Sequence, residues 1–408
     1  MMTAQSLSDR TLDETSLRYP GWRVVGALFL VAVAAWGFGF YGQGVYLAEF
    51  SRRFGWPVAA IAGASTVFYL VSAFLTVFIN DALDRFGPRL CVLFGVVTYA
   101  VSIPSLGFVD ALWQLYAAYL VMALGWTTMS VGAITNIVGL WFSAKRGLAI
   151  SLALTGASCG AICIVPSLIA LIGSFGFVAA LSIASAIMAA ILVPLALFVI
   201  DAPAAPRDAN GARIATAPGR WTRARALRSW PFWSITLPFS LAWLAQAGFL
   251  VHQIAFLEPV LGRTQAGFAV AVTTAASVIG GLTLGTVLDR LNQRLASAFA
   301  IASQVAALFA MTQTANAIAL FAACALFGLS VRNLITFPAL IVQREFEAPS
   351  FGLLIGLSTA IGQFVFAFGP GLLGLVRDLS GGYRAPLLLC VALDLAAAAI
   401  VLRPPPRR

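Results

Sequence analysis

Apolar residues run through this chain in long unbroken blocks, separated by short polar segments that carry nearly all of the charge. In order, the blocks cover 23–49, 57–79, 90–108, 111–142, 147–174 and 177–200, then 232–258, 267–288, 295–313, 316–343, 351–376 and 385–402. About 20 apolar residues suffice to cross a bilayer as a helix. The runs are continuously apolar instead of alternating, which argues against barrel strands. The pattern therefore predicts an all-α integral membrane protein with twelve transmembrane helices. One long polar insert, "DAPAAPRDANGARIATAPGRWTRARALRSWP" at 201–231, divides them six and six. The expected organisation is a tail over 1–22, a six-helix bundle over 23–200, an Arg-rich linker over 201–231, a second bundle over 232–402 and a tail over 403–408.

Composition agrees. The chain is 61% hydrophobic and 10% charged, whereas soluble domains run near 45–50% and about 25%. The net charge of +10 raises the question of a nucleic-acid partner, but its distribution excludes one. Basic residues gather at 85 and 89, at 145–146, at 207, 213, 220, 223, 225 and 228 in the linker, and at 290, 294 and 344. The alternate loops hold only Arg52, Arg53, Arg263, Arg377 and Arg384. This bias predicts a cell inner (plasma) membrane protein with both termini cytoplasmic and the linker against an anionic leaflet. The polar start lacks the basic stretch and short apolar core of a cleaved signal peptide.

Chemistry other than transport finds little support. The five cysteines all lie within apolar runs, and Cys159 and Cys163 have no second pair to complete a metal cage. No cofactor or metal is expected. "GASCG" at 156–160 has the spacing of a hydrolase elbow, but it lies inside an apolar helix instead of a strand–helix turn. Small residues four apart serve close helix approach there. P-loop and HExxH patterns are missing, so the chain is not expected to be an enzyme.

A repeat gives more. "ALDRFGPR" at 82–89 returns as "VLDRLNQR" at 287–294, an offset of 205. Gly147 and Gly352, each opening a span, keep the same offset, while Glu49 and Glu258 stand 209 apart. An offset held across several helices indicates a duplicated six-helix unit, and two parallel halves with a midplane site between them form a known plan for secondary transporters. The octet resembles the loop signature of the major facilitator superfamily, Gly-x-x-x-Asp-Arg-x-Gly-Arg-Arg. Asp84 to Gly87 keep its core and Arg89 its later cation, with Pro88 and Asn80 departing from it, and the second copy restores the leading glycine at Gly285. "WFSAKRGLAISLALTGASCG" at 141–160 and "GPGLLGLVRDLSGGYRAP" at 369–386 are similar to segments of the monocarboxylate and oxalate/formate-type branch. The resemblance implies two pseudo-symmetric six-helix bundles in the major facilitator fold, acting by alternating access, often as a single chain. It also implies gating contacts by the octets: Asp84, Arg85 and Arg89, then Asp289, Arg290 and Arg294. Lys145 and Arg146, in a loop of the same side, join that set.

Charges inside the spans supply the remaining candidates. Arg332 lies near the middle of the tenth span, where a guanidinium needs a wet cavity or a partner. The resemblance places the tenth helix on the central cavity, and the planar fork suits a carboxylate. Asn333 follows it. His252, the only histidine, is a candidate for lining the cavity and for proton coupling, or alternatively a neutral ring bonded to a backbone carbonyl. Aligning Glu49 with Glu258 sets Gln43 opposite His252, with Tyr41 and Tyr46 on the same stretch. Glu49 and Glu258 sit at span ends beside Arg52, Arg53 and Arg263, which favours ion pairing over a coupling role. Span eleven offers only Gln363, and span eight no basic residue, where the monocarboxylate branch leads one to expect a cation. Asp394, mid-span in a helix the resemblance places at the periphery, implies an unseen partner. The expected function is secondary active transport of a small organic anion such as a monocarboxylate, with a proton or counter-anion. The alternatives are proton-driven efflux of drug-like compounds and, more remotely, a non-transporting receptor.

Overall fold

The computed structural model describes residues 14, 16, 19–142, 145–201, 221–287, 292–347 and 350–403, and among these it contains helices and no strand. The first six long helices are α1 (Gly21–Phe54), α2 (Val58–Thr76), α3 (Ile79–Ser105), α4 (Leu112–Trp141), α5 (Arg146–Phe175) and α6 (Phe177–Phe198). The second six are α7 (Trp230–Leu261), α8 (Arg263–Val287), α9 (Gln293–Gln313), α10 (Ala317–Glu345), α11 (Phe351–Ala367 continued by Gly369–Ser380) and α12 (Arg384–Val401). Among the described residues, eleven helices are long and apolar enough to cross a membrane. The other, α8, is 25 residues long and carries Thr273, Thr274 and Ser277 as buried polar residues. Its polarity is tolerated because it packs between α5 and α10.

Three interruptions were not legible as such in the apolar runs. A π-helical turn, Gly37–Tyr41, breaks α1. Extended backbone at Ser130 (ψ −177°) splits α4. The helix α3 begins at Ile79, well before the expected residue 90, and turns at Gly87, whose φ of +78° is a region that side chains with a Cβ avoid. Pro88 then opens the next helical segment, where its missing N–H goes unneeded. In the second octet Asn292 does the equivalent work, its side chain accepting from the Arg294 and Leu295 amides.

The two halves repeat one packing scheme. Helix α1 lies on α5 as α7 lies on α11; α2 meets α4 as α8 meets α10; α3 meets α6 as α9 meets α12. One close contact repeats atom for atom. A Cβ at Gly160 would fall 2.4 Å from the Val33 carbonyl oxygen and 2.9 Å from the Gly37 nitrogen, and one at Gly369 would fall 2.4 Å from the Leu244 oxygen and 2.8 Å from the Gly248 nitrogen. Gly156, in the "GASCG" stretch, likewise lies against the Phe29 carbonyl. These glycines let bare backbones touch where lipid supplies no hydrophobic drive for helix association. The seam between the halves is built by α2 on α11, α5 on α8, and α1 on α7.

Candidate functional site

Both ends of the described chain meet one face of the protein, where Tyr19 bonds the Trp141 carbonyl and Arg294 the Val401 carbonyl. This face is called the terminal face and the opposite one the distal face. Side chains that bridge the seam lie in the distal half. Glu49 at the end of α1 is only 3% exposed and receives Arg263 of α8 at 2.7 Å, as well as Arg52 of its own helix at 2.7 Å. Asp378 of α11 accepts from the Ala59 amide at 2.7 Å, placing a carboxylate at the positive start of α2. The Gly371 amide donates to Thr66 Oγ1 at 3.1 Å. Deeper, Phe40 stacks on Phe366 at 6.1 Å between centroids, Tyr69 meets the same ring edge-on at 5.1 Å, and the Tyr41 hydroxyl stands beside Thr274 of α8.

The later arginine of each duplicated octet pairs with a carboxylate of its own half. Arg89 reaches Asp201, at the end of α6, at 2.6 Å, and its Nε points to the Ile200 carbonyl at 3.5 Å. Arg294 forks onto Glu345 of α10 at 2.5 and 2.7 Å and also bonds the Val401 carbonyl at the end of α12. Each arginine thus ties the start of its half's third helix to the end of its sixth, and both pairs stay within one half. Asp84 and Arg85 are exposed, with Arg85 over the Phe86 ring. Arg146 covers Gly139, and the Lys145 amide donates to Glu14 at 2.7 Å. Asp289 and Arg290 lie outside the described residues.

Arg332 is half-buried near the middle of α10, its stem against Gly281 of α8, and its guanidinium has no hydrogen-bond or ion-pair partner among the described residues. Ile335 and Thr336, one turn further, are exposed on the same side. Asn333 turns away and donates to the Gly280 and Leu329 carbonyls, which ties α10 to α8. Gln363 is exposed on α11.

His252 is 2% exposed and both ring nitrogens are engaged. Nε2 donates to the Pro370 carbonyl at 2.9 Å, which leaves Nδ1 to accept from the Tyr383 hydroxyl at 3.2 Å. Burial pushes the Tyr383 phenol up, so it stays a neutral donor. This arrangement is the bonded neutral ring rather than one lining open space. Gln43 is fully buried and donates to the Gly39 carbonyl at 2.6 Å; no bond joins it to His252. Tyr46 is fully buried and folds over Gly42. Among the described residues Glu258 has no arginine on it, because Arg263 turns instead to Glu49 across the seam.

Several contributors escape a reading of the sequence: Asp378, Thr66, Tyr383, Asp201 and Glu345 each act through a partner from another helix. Only proximity to a span end marks Asp201, Glu345 and Asp378 beforehand.

Known proteins bear on this arrangement. Residues 27–370 match the profile of the Major Facilitator Superfamily. An uncharacterized MFS-type transporter of Bacillus subtilis (strain 168), YcxA, is 24% identical over 84% of this chain and 85% of its own. Monocarboxylate transporter 13 of Bos taurus is 23% identical over 94% of this chain and 89% of its own. The fold matches a bacterial homologue of the human lysosomal transporter Spinster, solved inward-facing and unoccupied, with a TM-score of 0.74 at 15% identity, covering 95% of this chain and 97% of that one. With two like-built halves meeting along one seam and a family match over most of its length, this chain belongs to the Major Facilitator Superfamily of membrane transporters.

Proposed function

We propose that this transporter carries a small organic anion of the monocarboxylate kind by alternating access, with proton symport or anion exchange as its energy source. The terminal face is cytoplasmic in a plasma membrane, as the arginine distribution favours. Seam contacts confined to the distal half then correspond to a state closed outside and accessible from within. The observation that carries the substrate class is Arg332, a guanidinium at mid-depth that no carboxylate or carbonyl of the described residues occupies. A free fork in a low-dielectric site favours a bidentate anion strongly. The likeness to a monocarboxylate transporter over 94% of the chain supports the same class.

Uptake of labelled lactate and oxalate into vesicles containing the purified protein tests the reading. Arg332→Gln should reduce carboxylate uptake by at least tenfold through a raised KM, because each lost charge-assisted contact is worth about 1.5–3 kcal/mol. Unchanged kinetics in that variant would remove Arg332 from the site, and a parent protein that moves no carboxylate would refute the substrate class.

A further inference from the structure

Asp394 of α12 is fully buried, and neither of its carboxyl oxygens has a hydrogen-bond partner among the described residues. Its surroundings follow from the helix register. The bond from Arg294 to the Val401 carbonyl, at 3.0 Å, sets α9 and α12 antiparallel at the terminal face. Seven residues along each toward the distal face, about 10 Å at the helical rise, stand Ile301 and Asp394. Both belong to buried stripes, Ser297–Ile301–Gln304–Leu308 on α9 and Leu387–Cys390–Asp394–Ala397 on α12. Gln304 is fully buried; its amide nitrogen donates to Gln246 of α7 at 3.2 Å, and its own amide oxygen lacks a partner. Cys390, one turn from Asp394, lies 3.7 Å from the Ala245 carbonyl, beside Gln246. Helices α7, α9 and α12 therefore bring a carboxyl and, about one helical turn from it, two amides and a thiol into one buried layer, with three oxygens unanswered.

An ionised carboxylate without a partner is costly in hydrocarbon, so Asp394 is stable there only when something neutralises it. The helices packed on α12 offer no cation for this. On α9, Arg294 is committed to Glu345. On α7, His252 has both nitrogens engaged and Glu258 lies at the distal end. On α11, Arg377 and Asp378 pair with each other at the distal end. On α12 itself, Arg384 stands at the distal start, and Cys390 brings no positive charge. A proton is the neutralising species that needs no further side chain.

We propose that Asp394 is a proton-binding site inside the C-terminal half, set apart from the seam. It loads when a carboxylate oxygen takes a proton from hydronium, leaving water, and it unloads when the half rearranges around it; nothing is oxidised or reduced. Because α7 contributes both to this pocket and to the seam, the protonation state of Asp394 biases how the seam opens. That use in coupling rests on the transport reading above, whereas the protonation itself does not.

Infrared spectroscopy of the purified protein in phosphatidylethanolamine–phosphatidylglycerol vesicles reads the site directly. A protonated-carboxyl carbonyl band should titrate with pH, shift on carboxyl-13C labelling of aspartate but not of glutamate, and vanish in Asp394→Asn. The isotope experiment identifies the group even if that variant folds poorly. In transport, Asp394→Asn should lose tenfold or more of pH-gradient-driven lactate accumulation while lactate counterflow stays within twofold. A band absent from the parent, insensitive to aspartate labelling or retained in Asp394→Asn overturns the proton site. Sodium dependence in place of pH dependence overturns it equally, and parent-like accumulation by the variant overturns its part in coupling. If the band behaves as expected but the parent moves no carboxylate, the transport reading fails and the proton site stands.

Discussion

The ion pair between Glu49 and Arg263 offers the cleanest handle on the seam. Removing Glu49 would strand two arginines, so Arg263→Gln is the better perturbation: it leaves Glu49 neutralised by Arg52 on its own helix. Only the Arg263 contact spans the halves, and only contacts that differ between two states shift the balance between them. A charge-assisted bond is worth about 1.5–3 kcal/mol. With Glu49 3% exposed and Arg263 25% exposed, solvent screening lowers the figure to about 1.5 kcal/mol. Since about 1.4 kcal/mol is tenfold in an equilibrium constant, the distal-open population should rise roughly tenfold. Pulsed electron-spin distance measurements between labels at Asp110 and Ala315, exposed in distal loops of the two halves, with the exposed Cys163 replaced, report that population directly. The reasoning is refuted if the distance distribution of Arg263→Gln superimposes on the parent. It fails equally if Arg52→Gln, which touches nothing across the seam, produces the same shift.

Two other outcomes are expected. Gly160→Ala and Gly369→Ala each drive a methyl to 2.4 Å from a carbonyl oxygen and should cost about 1–3 kcal/mol, lowering the melting temperature in detergent, while Gly147→Ala, which meets nothing within 4 Å, should melt like the parent. His252→Gln should destabilise by about 1–3 kcal/mol through its lost bonds to Pro370 and Tyr383, with the pH response of uptake intact; a lost pH response would make His252 the proton carrier after all.

Much of this was legible beforehand because lipid simplifies the code. Apolar runs of spanning length mark helices whatever their partners, and the offset between octets marks two like halves. Arg332 stood out for a similar reason: a guanidinium in an apolar run is conspicuous without any knowledge of packing. Pairing was harder to read. Arg263 sits five residues from Glu258 yet binds Glu49, 214 positions away, because α8 meets α1 only once the halves are assembled. Likewise the octets announced charge at the membrane boundary, but that Arg89 answers Asp201 and Arg294 answers Glu345 depends on how six helices close into a ring. The breaks at Gly37–Tyr41 and Ser130 left no trace in hydropathy, since bending a helix changes none of its side chains.

The matched glycine contacts have a mechanical consequence. Where backbone rests on backbone, no side chain is available to change rotamer, so α1 and α5, or α7 and α11, cannot slide or close further at those points. Each pair is pinned there, and motion between the halves is favoured at the boundary between the pairs. A pull felt at one end of α5 is then passed to α8, which packs on it across that boundary.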